Sequence, residues 1–480
     1  MATPYSVMMG LILILTPLVC WFFSYRAKDS RVPVNKFAQT IHDNRYYLHI
    51  FGYAVIIKWK AITDNLNEPI KSKTGNWTEY VYALEGDLAR HVQTIFENDI
   101  LTDILNFHYL FIYLFLIYVT TVFYAYVGER DLTDKVTLNY LLIYAVAVPY
   151  YLFFNVEVTS SWIPEMKALL YHEGWYTDFY VTHDPLDNAV PSLHVAIPFG
   201  ILMLNWLHVK EKGGKMTEWE HWPYHLFILI NTIVFCFSII YLGIHWFIDI
   251  PLGMIVGGIG ALFIHYIQPR LRSGVSNFIK SVSRKYSKKR VASEGFLTAV
   301  LFALLLGSVS LQSDQADELT SFRLGEGDTT FEIIPEISDD EGIITTITNL
   351  DSEQPIQVMR IDLYESIEFM DRDGILWDQM VEKHGENITI QPGGQATFET
   401  KEKMRWMLVI FHLPDNGGEN IVELNVVNDY AEDPITKALL MSLISLWITA
   451  FVVFRIYRLK RAGMSFISSQ PSDHWDSSSE

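Results

Sequence analysis

The stretch Ser238-Ile-Ile-Tyr-Leu-Gly-Ile-His-Trp-Phe-Ile-Asp-Ile-Pro-Leu-Gly253 decides how the whole chain is read. It sets His245 and Asp249 four residues apart in an otherwise apolar run. On a helix that spacing puts imidazole and carboxylate on one face, within reach of each other. Ionisable groups in apolar segments are expensive, so a paired His and Asp there marks a site. A second histidine, in Pro191-Ser192-Leu193-His194, opens another apolar segment earlier in the chain.

Composition agrees with a membrane setting. The chain has 480 residues, 50% hydrophobic and 14% aromatic, and its mean hydropathy is +0.17. That is too apolar for an ordinary soluble protein and too mixed for a pure membrane bundle, so a membrane domain joined to a soluble one is expected. Residues 313–433 hold 28 Asp and Glu against 7 Lys and Arg, a net of −21. The whole chain carries −19, so the acidity belongs to that one segment and nothing points to nucleic acid. The two cysteines, Cys20 and Cys236, lie in apolar runs, which leaves no disulfide framework and no zinc-type Cys/His spacing.

The expected order follows from apolar runs and their basic flanks. Residues 1–63 hold N-terminal spans: one at 5–24, retained and followed by Arg26, Lys28, Arg31 and Lys36, and a shorter one at 46–57. A polar stretch, 64–103, contains Asn76-Trp77-Thr78 and the run Glu85-Gly86-Asp87-Leu88-Ala89-Arg90-His91. It begins a membrane domain, 64–268, with spans at 104–126, 136–155, 189–207, 224–244 and 247–267. A basic linker, 269–291, includes the interval Arg270 to Arg290, with eight Lys or Arg and no acid, a strong cytoplasmic marker. A span at 292–312, the acidic segment 313–433, a last span at 436–456 and a cytoplasmic tail, 457–480, complete the chain. Counting back from the basic linker puts both His194 and His245 at the outer surface.

The acidic segment reads as β. Ile343 to Ile347, Ile356 to Leu363, Ile388 to Ile390, Met407 to Leu413 and Ile421 to Val427 are short, β-branched runs spaced by Asn, Gly, Pro and Asp. They predict a sandwich outside the membrane, and the sequon at Asn387 agrees with that side.

The residues then suggest chemistry. Pro191 and Ser192 suit the start of a helix, whose free N–H groups and positive dipole end favour a phosphate. His194 would point from the first turn into that space. His245, with Asp249 to fix its tautomer and support a developing positive charge, is arranged as a nucleophile or base. One imidazole attacking phosphorus while another protonates the leaving alkoxide makes a two-step mechanism that calls for no cofactor and no metal.

Pro191-Ser192-Leu193-His194 followed by Ser238, His245 and Asp249 resembles the second and third signature motifs of the type 2 phosphatidic acid phosphatase superfamily, Pro-Ser-Gly-His and Ser-Arg-x5-His-x3-Asp. The resemblance covers roughly residues 100–268. It implies a mostly α, polytopic transmembrane bundle with a vanadium-haloperoxidase/phosphatidic acid phosphatase-like core, here joined to a C-terminal extracytoplasmic β-sandwich and a final transmembrane helix. It further implies that His194 is the general acid, His245 the nucleophile that becomes a phosphohistidine, and Asp249 its charge partner. Ser192 and Ser238 match phosphate-contacting positions.

The departures are specific. Leu193 stands in place of Gly, Ile239 in place of Arg, and no Lys-x6-Arg-Pro motif precedes them. These losses resemble the branch that includes inositol phosphorylceramide synthases. A phosphorane still needs charge stabilisation. Among the outer loops the cations available are Arg90, Lys167, His183, Lys71 and Lys73, with Arg90 preferred. Trp162, Tyr171, Trp175, Tyr176, Phe179 and Tyr180 form an aromatic cluster suited to an interfacial belt or to lipid headgroups.

The expected activity is cleavage or transfer of a lipid phosphate ester at the outer face of the cell membrane. A water acceptor makes a phosphatase; a lipid alcohol makes a headgroup transferase. The expected partners are the lipid bilayer and its phosphate-bearing lipid. The acidic domain leaves open a protein or glycan partner, substrate recruitment or shielding of the site. A catalytically inactive lipid-binding relative and a transporter are the other classes; no inverted repeat or broken-helix pair supports the latter.

Overall fold

The computed structural model describes residues 4–74, 77–163, 166–170, 189–272, 288–308, 316–325, 327–334, 343–351, 353–362, 366, 369–371, 374–385, 387–400, 407–415, 421–430 and 434–461. Asn76, His183, Tyr171, Trp175, Tyr176, Phe179 and Tyr180 lie outside these.

The helical part comprises α1 (Pro4–Phe23), α2 (Val34–Asp43), α3 (Tyr47–Thr74), α4 (Thr78–Glu85), α5 (Leu88–Phe96), α6 (Asp99–Tyr126), α7 (Arg130–Phe153), α8 (Thr159–Trp162), α9 (Leu193–Glu211), α10 (Trp222–Tyr241), α11 (Asp249–Arg272) and α12 (Lys288–Ser308). Among the described residues six helices are long and apolar enough to cross a membrane: α1, α6, α7, α9, α10 and α11. The expected span at 46–57 is the apolar start of the longer α3, interrupted by Lys58 and Lys60. Tyr53 ties it to α6, donating to the Ile117 carbonyl at 3.1 Å and meeting Thr121 Oγ1 at 2.9 Å.

The bundle is organised by α9 and α11, whose backbones nearly touch. A Cβ on Gly253 would stand 2.7 Å from the Ser192 carbonyl, and one on Gly257 closer still to that of Ala196. Without side chains at these two positions the helices approach as small-residue stripes do in membranes. This contact brings Ser192 and His194 alongside the start of α11.

Helices α6, α7, α9, α10 and α11 alternate in direction, so their ends form two sets. At one end the turn before α7 meets the α9–α10 connection, where Glu129 lies 3.4 Å from His208, 3.3 Å from Lys212 and 3.9 Å from His221. Burial alone pushes the Glu129 carboxyl up, but these neighbours outweigh it and hold it down at about 2. Nearby, Arg272 pairs with Asp131 and Asp134. His194 and His245 both lie at the opposite end.

Among its described residues the C-terminal region contains ten strands: β1 (Ala316–Gly325), β2 (Thr329–Ile334), β3 (Ile343–Asn349), β4 (Ile356–Asp362), β5 (Met370–Asp371), β6 (Gly374–Ile375), β7 (Ile388–Ile390), β8 (Gln395–Thr400), β9 (Met407–His412) and β10 (Ile421–Tyr430). Two four-stranded antiparallel sheets, β1-β10-β3-β8 and β2-β9-β4-β7, enclose a core of Leu324, Ile347, Val358, Val409, Phe411 and Leu424. Alternation along each strand sends these side chains inward. Helix α13 (Trp377–His384) packs Trp377 and Met380 with Met359, Ile361 and Ile410 in a second cluster. Helix α14 (Pro434–Arg461) follows, joined to α12 by a 2.7 Å bond from the Trp447 indole to Thr298.

Candidate active site

Residues 238–253 do not form one helix. Helix α10 stops at Tyr241 because Gly243 takes a left-handed conformation, φ +81°. The Ile244 N–H returns to the Ile239 carbonyl at 3.2 Å and the Gly243 N–H to that of Ile240 at 3.3 Å. This paired closure is the glycine-terminated C-cap that satisfies the last helical carbonyls. Ile239, at the position where the motif has Arg, contributes a fully buried side chain, and its carbonyl also accepts the His245 N–H at 3.0 Å. His245 therefore sits in a loop, 242–248, and Asp249 begins the next helix.

The pair forms all the same. His245 Nδ1 is 2.6 Å from the Ala189 carbonyl and 3.1 Å from Asp249 Oδ2. Both neighbours accept hydrogen bonds, so Nδ1 carries the ring proton of the neutral imidazole and Nε2 keeps its lone pair. Asp249 Oδ2 also accepts the Trp246 N–H at 3.0 Å, which fixes the carboxylate against the loop. Asp249 is fully buried and its other oxygen has no partner among the described residues. Held this way, Asp249 fixes the orientation and tautomer of the imidazole beside it.

His194 lies in the first turn of α9, its ring 6.5 Å from that of His245 between centroids. It is packed between Tyr109, stacked at 3.8 Å, and Tyr113, at 4.0 Å, with Phe235 at 5.6 Å. The two imidazoles are thus close enough for one phosphoryl group to touch both. Ser192, the N-cap of α9, is fully buried, and its hydroxyl has no partner among the described residues. Together with the free N–H groups of the first turn it offers neutral donors for an anion. Ser238 is also fully buried, but its hydroxyl donates to the Phe235 carbonyl of its own helix at 3.2 Å.

The expected cations are placed as follows. Arg90 donates to Asp87 at 3.1 Å, and Lys167 pairs with Glu97 at 2.8 Å, with both side chains of that pair nearly half exposed. Lys71 and Lys73 fall on the last turns of α3.

Two residues that the sequence reading assigned no role brace the loop. Glu85 accepts the Phe247 N–H at 2.7 Å and the Ile248 N–H at 2.6 Å. Burial pushes its carboxyl up, and these two backbone donors oppose that shift. Gln93 donates to the Tyr241 and Lys167 carbonyls, each at 2.9 Å, and accepts the Lys167 N–H at 2.8 Å. Neither partnership leaves a local pattern; only the charge of Glu85 in a mostly apolar helix is visible beforehand.

The fold and site define an integral membrane protein with a paired-histidine centre at one end of its helices. Residues 159–273 match the PAP2 superfamily, so the chain carries a PAP2-superfamily domain spanning both histidine motifs. No curated protein matches the chain. Among solved structures, Aquifex aeolicus LpxE aligns with 38% of this chain and 94% of its own at 17% identity and a TM-score of 0.28. A structure of Bacillus endospore appendages, a family of disulfide-linked pili, aligns with 25% and 92% at 13% identity and a TM-score of 0.16.

Proposed function

We propose that this protein cleaves a lipid phosphate monoester through a phosphohistidine on His245, at the outer face of the membrane. The observation that carries the reading is the double acceptor at His245 Nδ1, which leaves Nε2 as a nucleophile beside the His194 ring. In the first step an Nε2–P bond forms as the P–O bond to the lipid breaks, and protonated His194 gives its proton to the leaving alkoxide. Asp249 supports the positive charge on the phosphorylated ring. In the second step neutral His194 takes a proton from water, whose oxygen attacks phosphorus, and the P–N bond breaks to release phosphate. Ser192 and the α9 N-terminus supply the donors that the missing motif cations would otherwise supply, with Arg90 and Lys167, each of which would have to exchange its carboxylate partner, and His183 as further cations for an approaching phosphate. With a lipid phosphodiester as donor, breaking the P–O bond to the lipid alkoxide leaves the headgroup phosphate on Nε2, and a lipid alcohol in place of that water takes it up as the P–N bond breaks, as in the inositol phosphorylceramide synthase-like branch.

A second reading, a non-catalytic lipid-binding relative, is favoured by one observation: Arg90 and Lys167 each pair with a carboxylate. The test is phosphate release from phosphatidic acid by the purified protein in nanodiscs. The catalytic reading predicts turnover that falls at least about 10³-fold in His245→Ala and His194→Ala. Binding of phosphatidic acid with no turnover overturns it in favour of the second reading.

A further inference from the structure

The loop that carries His245 is held from outside by a helical hairpin. Glu85, the last residue of α4, grips the N–H groups of Phe247 and Ile248, just before α11. Gln93 of α5 grips the Tyr241 carbonyl at the end of α10. These contacts therefore bracket residues 242–248 on both flanks. The hairpin is itself docked: the Trp77 N–H donates to the Asn155 carbonyl at 2.9 Å, and Thr78 Oγ1 accepts the Glu157 N–H at 2.9 Å. The Glu157 carbonyl in turn receives the buried Trp246 indole at 2.8 Å. Between the two helices Asp87 accepts from Tyr82 at 2.9 Å and Arg90 at 3.1 Å, closing the turn at Gly86.

The other side of the hairpin is open and carries an apolar stripe flanked by the exposed Glu79, His91 and Thr94. Tyr80 and Leu84 on α4 are 66% and 75% exposed, and Ile95 on α5 is 74% exposed, with Leu88 and Phe96 also exposed. This face runs on into Ile100, Ile104 and Phe107, exposed on the first turns of the spanning α6. Depth agrees: Phe96 makes an edge contact at 5.3 Å with Phe237, one turn inside the end of α10. A 28-residue α6 is about 42 Å long, more than the hydrocarbon core, so its first turns and the hairpin reach the headgroup layer.

We propose that the α4–α5 hairpin is a bilayer-seated clamp on the His245 loop, with Glu85 as its positioning residue. Its apolar face lies in the lipid interface, as amphipathic interfacial helices do, while its inner face fixes where the imidazole stands. The catalytic consequence rests on the phosphatase reading; the seat and the clamp do not.

Three measurements on the full chain in phosphatidylcholine nanodiscs test this. A polarity-sensitive fluorophore on Leu88→Cys, with the unmutated chain as labelling blank, is quenched by spin-labelled lipid; quenching by aqueous iodide alone overturns the seat. In Glu85→Ala, amide exchange in the peptide covering residues 242–250 rises roughly tenfold while peptides within α9 keep their protection, and Glu85→Gln, which retains one acceptor, falls between. Unchanged exchange in both variants overturns the clamp. For phosphatidic acid, Glu85→Ala lowers kcat roughly tenfold or more with little change in KM, since misplacing a nucleophile costs rate. Faster loop exchange with unaltered kcat overturns the positioning role. If the unmutated chain shows no turnover, the phosphatase reading fails and the exchange result still decides the clamp.

Discussion

Gly257 of α11 stands so close to Ala196 of α9 that a single methyl group would collide with the Ala196 carbonyl. Gly257→Ala is therefore expected to cost about 1–3 kcal/mol through forced separation of the two motif helices. Gly258→Ala, whose added carbon meets only the Phe199 ring at 3.3 Å, costs less. Thermal unfolding of both variants in detergent checks this, and equal melting temperatures would refute it. Gly257→Ala should also lose turnover out of proportion to its stability, because Ser192 and His194 ride on the displaced helix.

Asp249 is the only charged side chain bonded to His245 among the described residues. Asp249→Asn keeps the shape but removes the charge and allows the wrong tautomer, so turnover should fall about 10²- to 10⁴-fold. Phosphate release under saturating phosphatidic acid measures it. A loss smaller than tenfold in Asp249→Asn would remove Asp249 from the mechanism.

The Ser192 hydroxyl separates stability from function. It is buried without a partner among the described residues, so Ser192→Ala should leave the melting temperature unchanged or raise it slightly, since an unsatisfied polar group is lost. Turnover should nonetheless fall roughly tenfold, because a donor to phosphate goes with it. Parallel loss of stability and activity would instead mark Ser192 as a packing residue.

Acid should loosen the Glu129 end of the bundle. Burial pushes His221 down to about 4, so its contribution is present above the ordinary histidine range and is lost as pH falls towards 4. Glu129, held at about 2, contributes above the ordinary carboxylate range and loses that contribution lower still. Both act in one direction, and stability should drop on the order of 2–3 kcal/mol between pH 7 and pH 4, at about 1.4 kcal/mol per unit. Melting temperatures against pH for the unmutated chain and His221→Asn report it; an identical pH slope in the variant would contradict the assignment.

Much of this was legible in the residues. The His245–Asp249 spacing survives because a loop followed by the first helical residue brings the same two groups together as a helical turn would. The helix break was readable too, from Gly243 and from Pro251 two residues into the next helix. Gly253 and Gly257 stood in plain view at small-residue spacing. Strands β3, β4, β7, β9 and β10 announced themselves by β-branched runs. Strands β1 and β2 did not: β1 is rich in polar residues and gains its order from ten-residue pairing with β10. Helices α4 and α5 lay hidden in a stretch read as polar loop, because their inner faces bond to backbone groups far away in the chain. Glu85 meets partners 162 and 163 positions distant, and no local pattern encodes such a contact.

The proposed function rests on covalent chemistry at His245 Nε2. Rapid acid-free quenching of the protein during turnover of ³²P-labelled phosphatidic acid, followed by peptide mass analysis, tests it most directly. The predicted result is an acid-labile, base-stable phosphoryl group on the peptide containing His245, absent in His245→Ala. Steady turnover with no phosphorylated His245, or with label retained in His245→Ala, would contradict it.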